Sequence, residues 1–157
     1  MPHTLEIKIM NLRIPHDGWV IVCDARKAIF LRNEGDAAFP NLKVEQVNEA
    51  PANPSNVEQG ADRPGRVQNA IAPTSAIDAP DWHELAEAHF ARDTIEAIEA
   101  LHRTRRPPGF VLVAPPRMLA ALRENLDGEL RSSIIAEIHK DLTKHPVHEI
   151  ERLLCSA

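Results

Sequence analysis

No run of apolar residues in this chain approaches the roughly 20 that a helix needs to cross a bilayer, so membrane insertion is not expected. The start, Met1 to Lys8, has neither an uninterrupted apolar segment nor a small-residue cleavage site, so it does not read as a signal peptide. A cytoplasmic location follows as the expectation. Only two cysteines occur, Cys23 and Cys155, far apart and without metal-ligand spacing. Two unpaired thiols in a reducing compartment are the simpler reading, with a disulfide as the alternative. A basic excess is also missing. The formal charge of −5 argues against extended nonspecific binding to nucleic acid.

Several chemical signatures are absent as well. There is no Gly-Lys-Ser/Thr ending of a phosphate loop, no Gly-x-Gly-x-x-Gly, no Gly-x-Ser-x-Gly, no His-Glu-x-x-His and no Cys–His nucleophile pair. No cofactor and no metal are expected, and no internal repeat is visible. What remains is an ordinary globular composition, 43% hydrophobic and 26% charged over 157 residues, which suits one domain with a sizeable core.

The chain is organised around Gly109-Phe110-Val111-Leu112-Val113-Ala114-Pro115-Pro116-Arg117. Phe110 to Ala114 have no polar interruption, as expected of a strand buried on both faces. Pro115 cannot donate to a ladder and ends the strand, while Pro116 suits the first turn of a helix. Met118, Leu119, Leu122 and Leu126 then repeat at helical spacing. In open α/β sheets ligands favour the region beyond the carboxyl ends of such strands, so the exit at Arg117 is a candidate surface.

Residues 1–14 read as a leader: Leu5, Ile7 and Ile9 alternate with polar neighbours, as in an edge strand or an arm on a neighbouring subunit of a homo-oligomer. Residues 15–157 read as a single domain. Trp19–Asp24 predicts a first strand and Ala28–Asn33 a second, antiparallel to it across Asp24-Ala25-Arg26-Lys27. Leu42–Val47 alternates as a half-buried third strand should. A helix is predicted from Trp82 to about His102, with Asp81 and Glu84 as a capping box and Leu85, Ala88, Ile95, Ile98 and Leu101 as its inner stripe. Trp82 is expected in the core or as a staple, with a stacking platform as the alternative. Asp127-Gly128 reads as a break. Ser133–Lys140 fits helix or strand, and its isoleucines favour strand. Pro146 opens a last helix bearing Val147, Ile150, Leu153 and Leu154. The order is βββαβαβα, an α/β fold with a five-stranded mixed sheet and helices packed on it.

Residues 50–81 fit neither periodicity: five prolines and two glycines punctuate them. So long a loop in a compact domain is either functional or disordered. Within it Gln59, Asp62, Arg63, Gly65 and Arg66 form a candidate binding stretch. The arginines suit a phosphate or carboxylate through paired N–H donors, and Gly65 allows close backbone approach. The plainer reading ties the loop to the body by salt bridges. His83, in a helical first turn, suits a neutral imidazole that Asp62 or Asp81 would orient as a general base in a small hydrolase or nuclease. A solvated helix-start histidine is the plainer reading. His139, Asp141, His145, His148 and Glu149 invite a metal reading, but Pro146 interrupts the spacing and no zinc pattern exists. Asp141, Lys144 and His145 fit better as a strand-to-helix turn, with Thr143 or His145 near the cap and Lys144 placed to meet a phosphate.

These residues carry a resemblance. Trp19-Val20-Ile21-Val22 through Ala28, then Glu34-Gly35-Asp36 with Phe39-Pro40-Asn41-Leu42, resemble the bacterial host attachment protein family. So do Glu58 to Arg66, Asp81-Trp82-His83-Glu84 with Phe90-Ala91, Val113 to Arg117, and Ile138 to Pro146. The resemblance covers residues 15–154. It implies a part in bacterial attachment to host cells. The family is also similar to the central domain of archaeal and eukaryotic class-1 release factors, which implies an RNase H-like βββαβα arrangement and a ribosomal or tRNA partner. In those factors a Gly-Gly-Gln tip promotes peptidyl-tRNA hydrolysis. Residues 50–81 here offer Gln59-Gly60 and no Gly-Gly-Gln. The resemblance brings no established catalytic residues, and the leading expectation is a non-enzymatic binding protein with an unidentified protein partner.

Overall fold

Trp19–Cys23 (β1) and Phe110–Val113 (β4) carry no charged residue, and every position in both strands is buried. Such strands can only sit side by side at the centre of a sheet covered on both faces. They pair in parallel, Trp19 opposite Phe110 and Val22 opposite Val113. The computed structural model describes residues 11–51 and 82–155. The alternating stretch with Leu5, Ile7 and Ile9, and the excursion from 52 to 81 with Gln59, Asp62, Arg63, Gly65, Arg66 and Asp81, lie outside the described residues.

Lys27–Asn33 (β2) pairs antiparallel with β1, and Leu42–Glu49 (β3) antiparallel with β2. Ile134–Ile138 (β5) is a strand, as its isoleucines suggested, and pairs in parallel with β4. The sheet has five strands in the order β3-β2-β1-β4-β5, the α/β mixed sheet expected from the sequence. Alternation assigns its two faces. Trp19, Ile21, Phe30, Phe110 and Leu112 point to one side and meet the helices Trp82–Arg105 (α1) and Pro116–Glu124 (α2) through Phe90, Ile95, Ile98, Met118, Leu119 and Leu122. Val20, Val22, Leu31, Val111 and Val113 point to the other and meet Ile150 and Leu154 of the last helix, Val147–Cys155 (α4). Each such fully buried side chain contributes about 1.5–3 kcal/mol relative to leaving it in water.

Several expectations are corrected. β3 is not half-buried: Val44 and Val47 are both 46% exposed, and only Leu42 of the strand is buried. A register irregularity opposite Phe30 and Leu31 breaks its alternation. An irregular, charged outer strand is a common way to blunt a sheet edge. The inner stripe of α1 begins at Phe90 rather than Leu85. Trp82 is 59% and Leu85 37% exposed, and Ala88 is exposed, because the first turns of α1 extend past the core. Trp82 is therefore neither core nor buried staple. Asp127-Gly128 is not a plain break: Asp127 Oδ1 accepts the Leu130 N–H and caps a single-turn helix, Gly128–Ser132 (α3). The end of the expected leader joins the core. Ile14 is 1% exposed, and the Leu12 N–H donates to the Leu154 carbonyl at 2.6 Å.

Asn33 went unremarked in the sequence, and it organises one end of the sheet. Its buried amide donates to the carbonyls of Ile14, Pro15 and Asp36, and its oxygen accepts the N–H groups of Gly35 and Asn41. Gly35 must be glycine in this turn, since a Cβ there would fall 2.1 Å from the Phe39 carbonyl oxygen.

Candidate functional site

β1, β4 and β5 run parallel, so their carboxyl ends share one edge, where open α/β sheets place ligands. Each exit brings polar groups there. β1 gives way to Asp24, whose Oδ1 accepts the N–H groups of Arg26 and Lys27 at 2.8 Å and fixes the turn into β2. β5 is followed by Asp141 and Thr143. The buried Thr143 hydroxyl lies 2.8 Å from Asp24 Oδ2 and 3.1 Å from Asp141 Oδ1, so one hydroxyl hydrogen stands between two carboxylates. Thr143 thus joins two strand exits rather than capping the last helix. β4 passes through Pro115, in extended conformation, into α2, and Pro116 takes the first helical position as expected.

Arg117, in the first turn of α2, reaches across to α1. Its Nη2 stands 3.1 Å from Glu87 Oε1 and 3.8 Å from Glu84 Oε2. Between these groups lies a depression of about 540 Å³, lined by Asp24, Arg26, Glu87, Arg117 and Asp141 among others. A second depression of about 500 Å³ adjoins it, sharing Ala25, Arg26 and Glu87, and is lined by His83 and Phe90.

The candidate residues separate accordingly. Arg117 and Asp141 line one depression and His83 lines its neighbour. Lys144 is exposed and lines neither. His145, in the turn before the last helix, has Nδ1 3.4 Å from Glu149 Oε1 of that helix and also lines neither. Gln59, Asp62, Arg63, Gly65, Arg66 and Asp81 fall outside the described residues, so the convergence of Asp62, Asp81 and His83 needed for the hydrolase reading is not on view. Among the described residues no group of three or more His, Cys, Asp or Glu side chains is placed to hold a metal ion. Sequence reasoning missed Asp24, Arg26 and Glu87. Asp24 follows directly on the apolar run Trp19–Cys23, and Glu87 lies one turn beyond Glu84, so both carried a readable signal.

Two groups near the edges are electrostatically quiet. Burial, reinforced by the neighbouring Asp24 charge, pushes the Cys23 thiol up to about 12, and burial with Glu151 pushes Cys155 up to about 11. Both are free thiols that stay protonated near neutrality, and thiols are poor nucleophiles compared with thiolates. Arg32, at the opposite end of the sheet, is drawn further toward its charged form by hydrogen bonds to Asp17 and Glu45.

Among the described residues no helix is long and apolar enough to cross a membrane. A comparison with curated proteins finds no match. Residues 19–154 match the family model described as "Protein required for attachment to host cells". That match spans all five strands and nearly all of the last helix, and the chain belongs to this family.

Proposed function

We propose that the protein is a non-enzymatic binding member of its family, whose part in host attachment is exerted through a partner held at the carboxyl edge of the sheet. The observation that carries this reading is the convergence of Asp24, Arg117 and Asp141 from three separate strand exits around one depression. The candidate loop residues Arg63 and Arg66 enter this reading from the sequence alone, as paired N–H donors for a phosphate or carboxylate of the partner. The two free thiols, Cys23 buried and Cys155 half-buried, fit a reducing cytoplasm, which in this reading makes the role in attachment indirect. Affinity capture from the native cytoplasm tests this. Wild type should retain a partner that Arg117→Glu and an Arg63/Arg66 double alanine variant lose. Equal recovery by all three would defeat the reading, and so would the protein appearing outside intact cells.

A second reading is association with ribosomes or tRNA. It is favoured by the strand order β3-β2-β1-β4-β5, with β1, β4 and β5 parallel, which suits an RNase H-like, release-factor-like kinship. Gradient sedimentation at low salt separates the two, since this reading requires the protein in ribosomal fractions and the first does not.

A further inference from the structure

The depression beside the first turns of α1 has a different make-up from the acid-lined edge next to it. Its floor is apolar, built from Ala25, Ala50, Pro51, Ala86 and Phe90. Arg26, from the β1–β2 turn, and Arg92, from α1, also line it. Among the described residues neither guanidinium has an ion pair, whereas Arg32, Arg117, Arg123 and Arg152 are each matched to a carboxylate. Two acidic groups also line the depression. Glu87 is already paired with Arg117, which leaves Asp93 as the acid set against two arginines. In a protein of formal charge −5 this apolar-floored depression therefore has a positive balance. It runs along the first three turns of the 24-residue helix α1. Its volume of about 500 Å³ falls within the range of small-molecule pockets, and an apolar body with a few polar anchors is their usual lining.

We propose that this depression binds a small organic anion, an apolar body bearing a carboxylate or phosphate, with the body on Phe90 and Ala86 and the anion between Arg26 and Arg92. The guanidinium fork suits both oxyanions, because each offers paired oxygens to parallel N–H donors. Three carbons of each arginine also extend the apolar wall. The inference does not depend on partner binding at the neighbouring edge, and either can fail without the other.

The test uses 8-anilinonaphthalene-1-sulfonate as an anionic probe with the full-length protein. Its neutral counterpart without the sulfonate, N-phenyl-1-naphthylamine, supplies the control. The sulfonated probe should bind saturably with one site, read by fluorescence and by calorimetry. Arg26→Ala and Arg92→Ala should each weaken it about tenfold, as loss of a charged hydrogen-bond donor does. Ala86→Phe should weaken it by filling the floor with no change of charge. These three side chains contribute little to the core, and thermal melts check that each variant folds. Competition by 1-naphthyl phosphate against 1-naphthoate then tells which oxyanion is preferred, and displacement by either supports the proposal. It is overturned if the neutral probe binds as well as the anionic one, if the Arg26/Arg92 double variant binds like wild type, or if neither oxyanion competes.

Discussion

At the amino-terminal end of β1, Asn33 meets five backbone groups and Arg32 contacts Asp17, Glu34 and Glu45. At the carboxyl-terminal end of the same strand, Asp24 shares one threonine hydroxyl with Asp141, and two depressions open beside it. Polar groups at the first end are spent on each other and on the backbone. At the second end they line concavities of about 500 and 540 Å³, against one of about 100 Å³ beside Asp17 and Arg32 at the first. The contrast teaches that the density of polar residues does not mark a working surface. What marks it is where their hydrogen-bonding capacity is directed.

This contrast can be broken by substitution, and the closed end should suffer most. Asn33→Ala strips two partly buried N–H groups and the buried Ile14 carbonyl of their partner. It should cost about 3 kcal/mol and lower the melting temperature by roughly 6–12 °C. A melt within a degree of wild type would mean that the amide is not the keystone of that end. At the open end, Thr143→Val keeps the shape and removes the bridging hydroxyl, and should cost about 1–2 kcal/mol in denaturant titration. No loss there would indicate that Asp24 and Asp141 do not depend on it.

The two thiols sharpen the comparison at intermediate strength. Each holds its proton more firmly when folded, with Cys23 raised from 9.0 to about 12 and Cys155 to about 11. The folded state then binds more protons than the unfolded state in that window. Stability should fall as pH climbs from about 9, and Cys23→Ala should flatten part of that fall. At about pH 8 a disulfide reagent should label the buried Cys23 quickly only after denaturation. Rapid labelling of Cys23 in the native protein would contradict its burial. The smallest effect belongs to Arg117→Ala. Its pairs with Glu87 and Glu84 are solvent-exposed, so the stability change should stay under about 0.5 kcal/mol and fade with salt.

The central strands were legible because β1 and β4 are buried on both faces, and an uninterrupted apolar run has few other readings. β3 was misjudged for the opposite reason. Its valines look like half of a core pattern, yet exposure depends on its being outermost, which only the assembled sheet determines. Trp82 and Leu85 misled similarly: their spacing is helical and their character apolar, but α1 begins before the core does. The exit at Arg117 was readable from the strand followed by two prolines. Asp24 and Thr143 were not readable as a pair, since 119 residues separate them and nothing local in either stretch announces the other. Lys144 and His145 resembled site residues because they sit in the right connection, but neither lines the depressions.

The most direct test places a photo-crosslinking amino acid at position 117, on the open edge, and in a separate variant at position 43, on the exposed outer strand, and irradiates living cells. The account predicts a discrete crosslinked product from position 117 and none from position 43. Products from position 43 alone, or equal products from both, would contradict a partner surface at the carboxyl edge of the sheet.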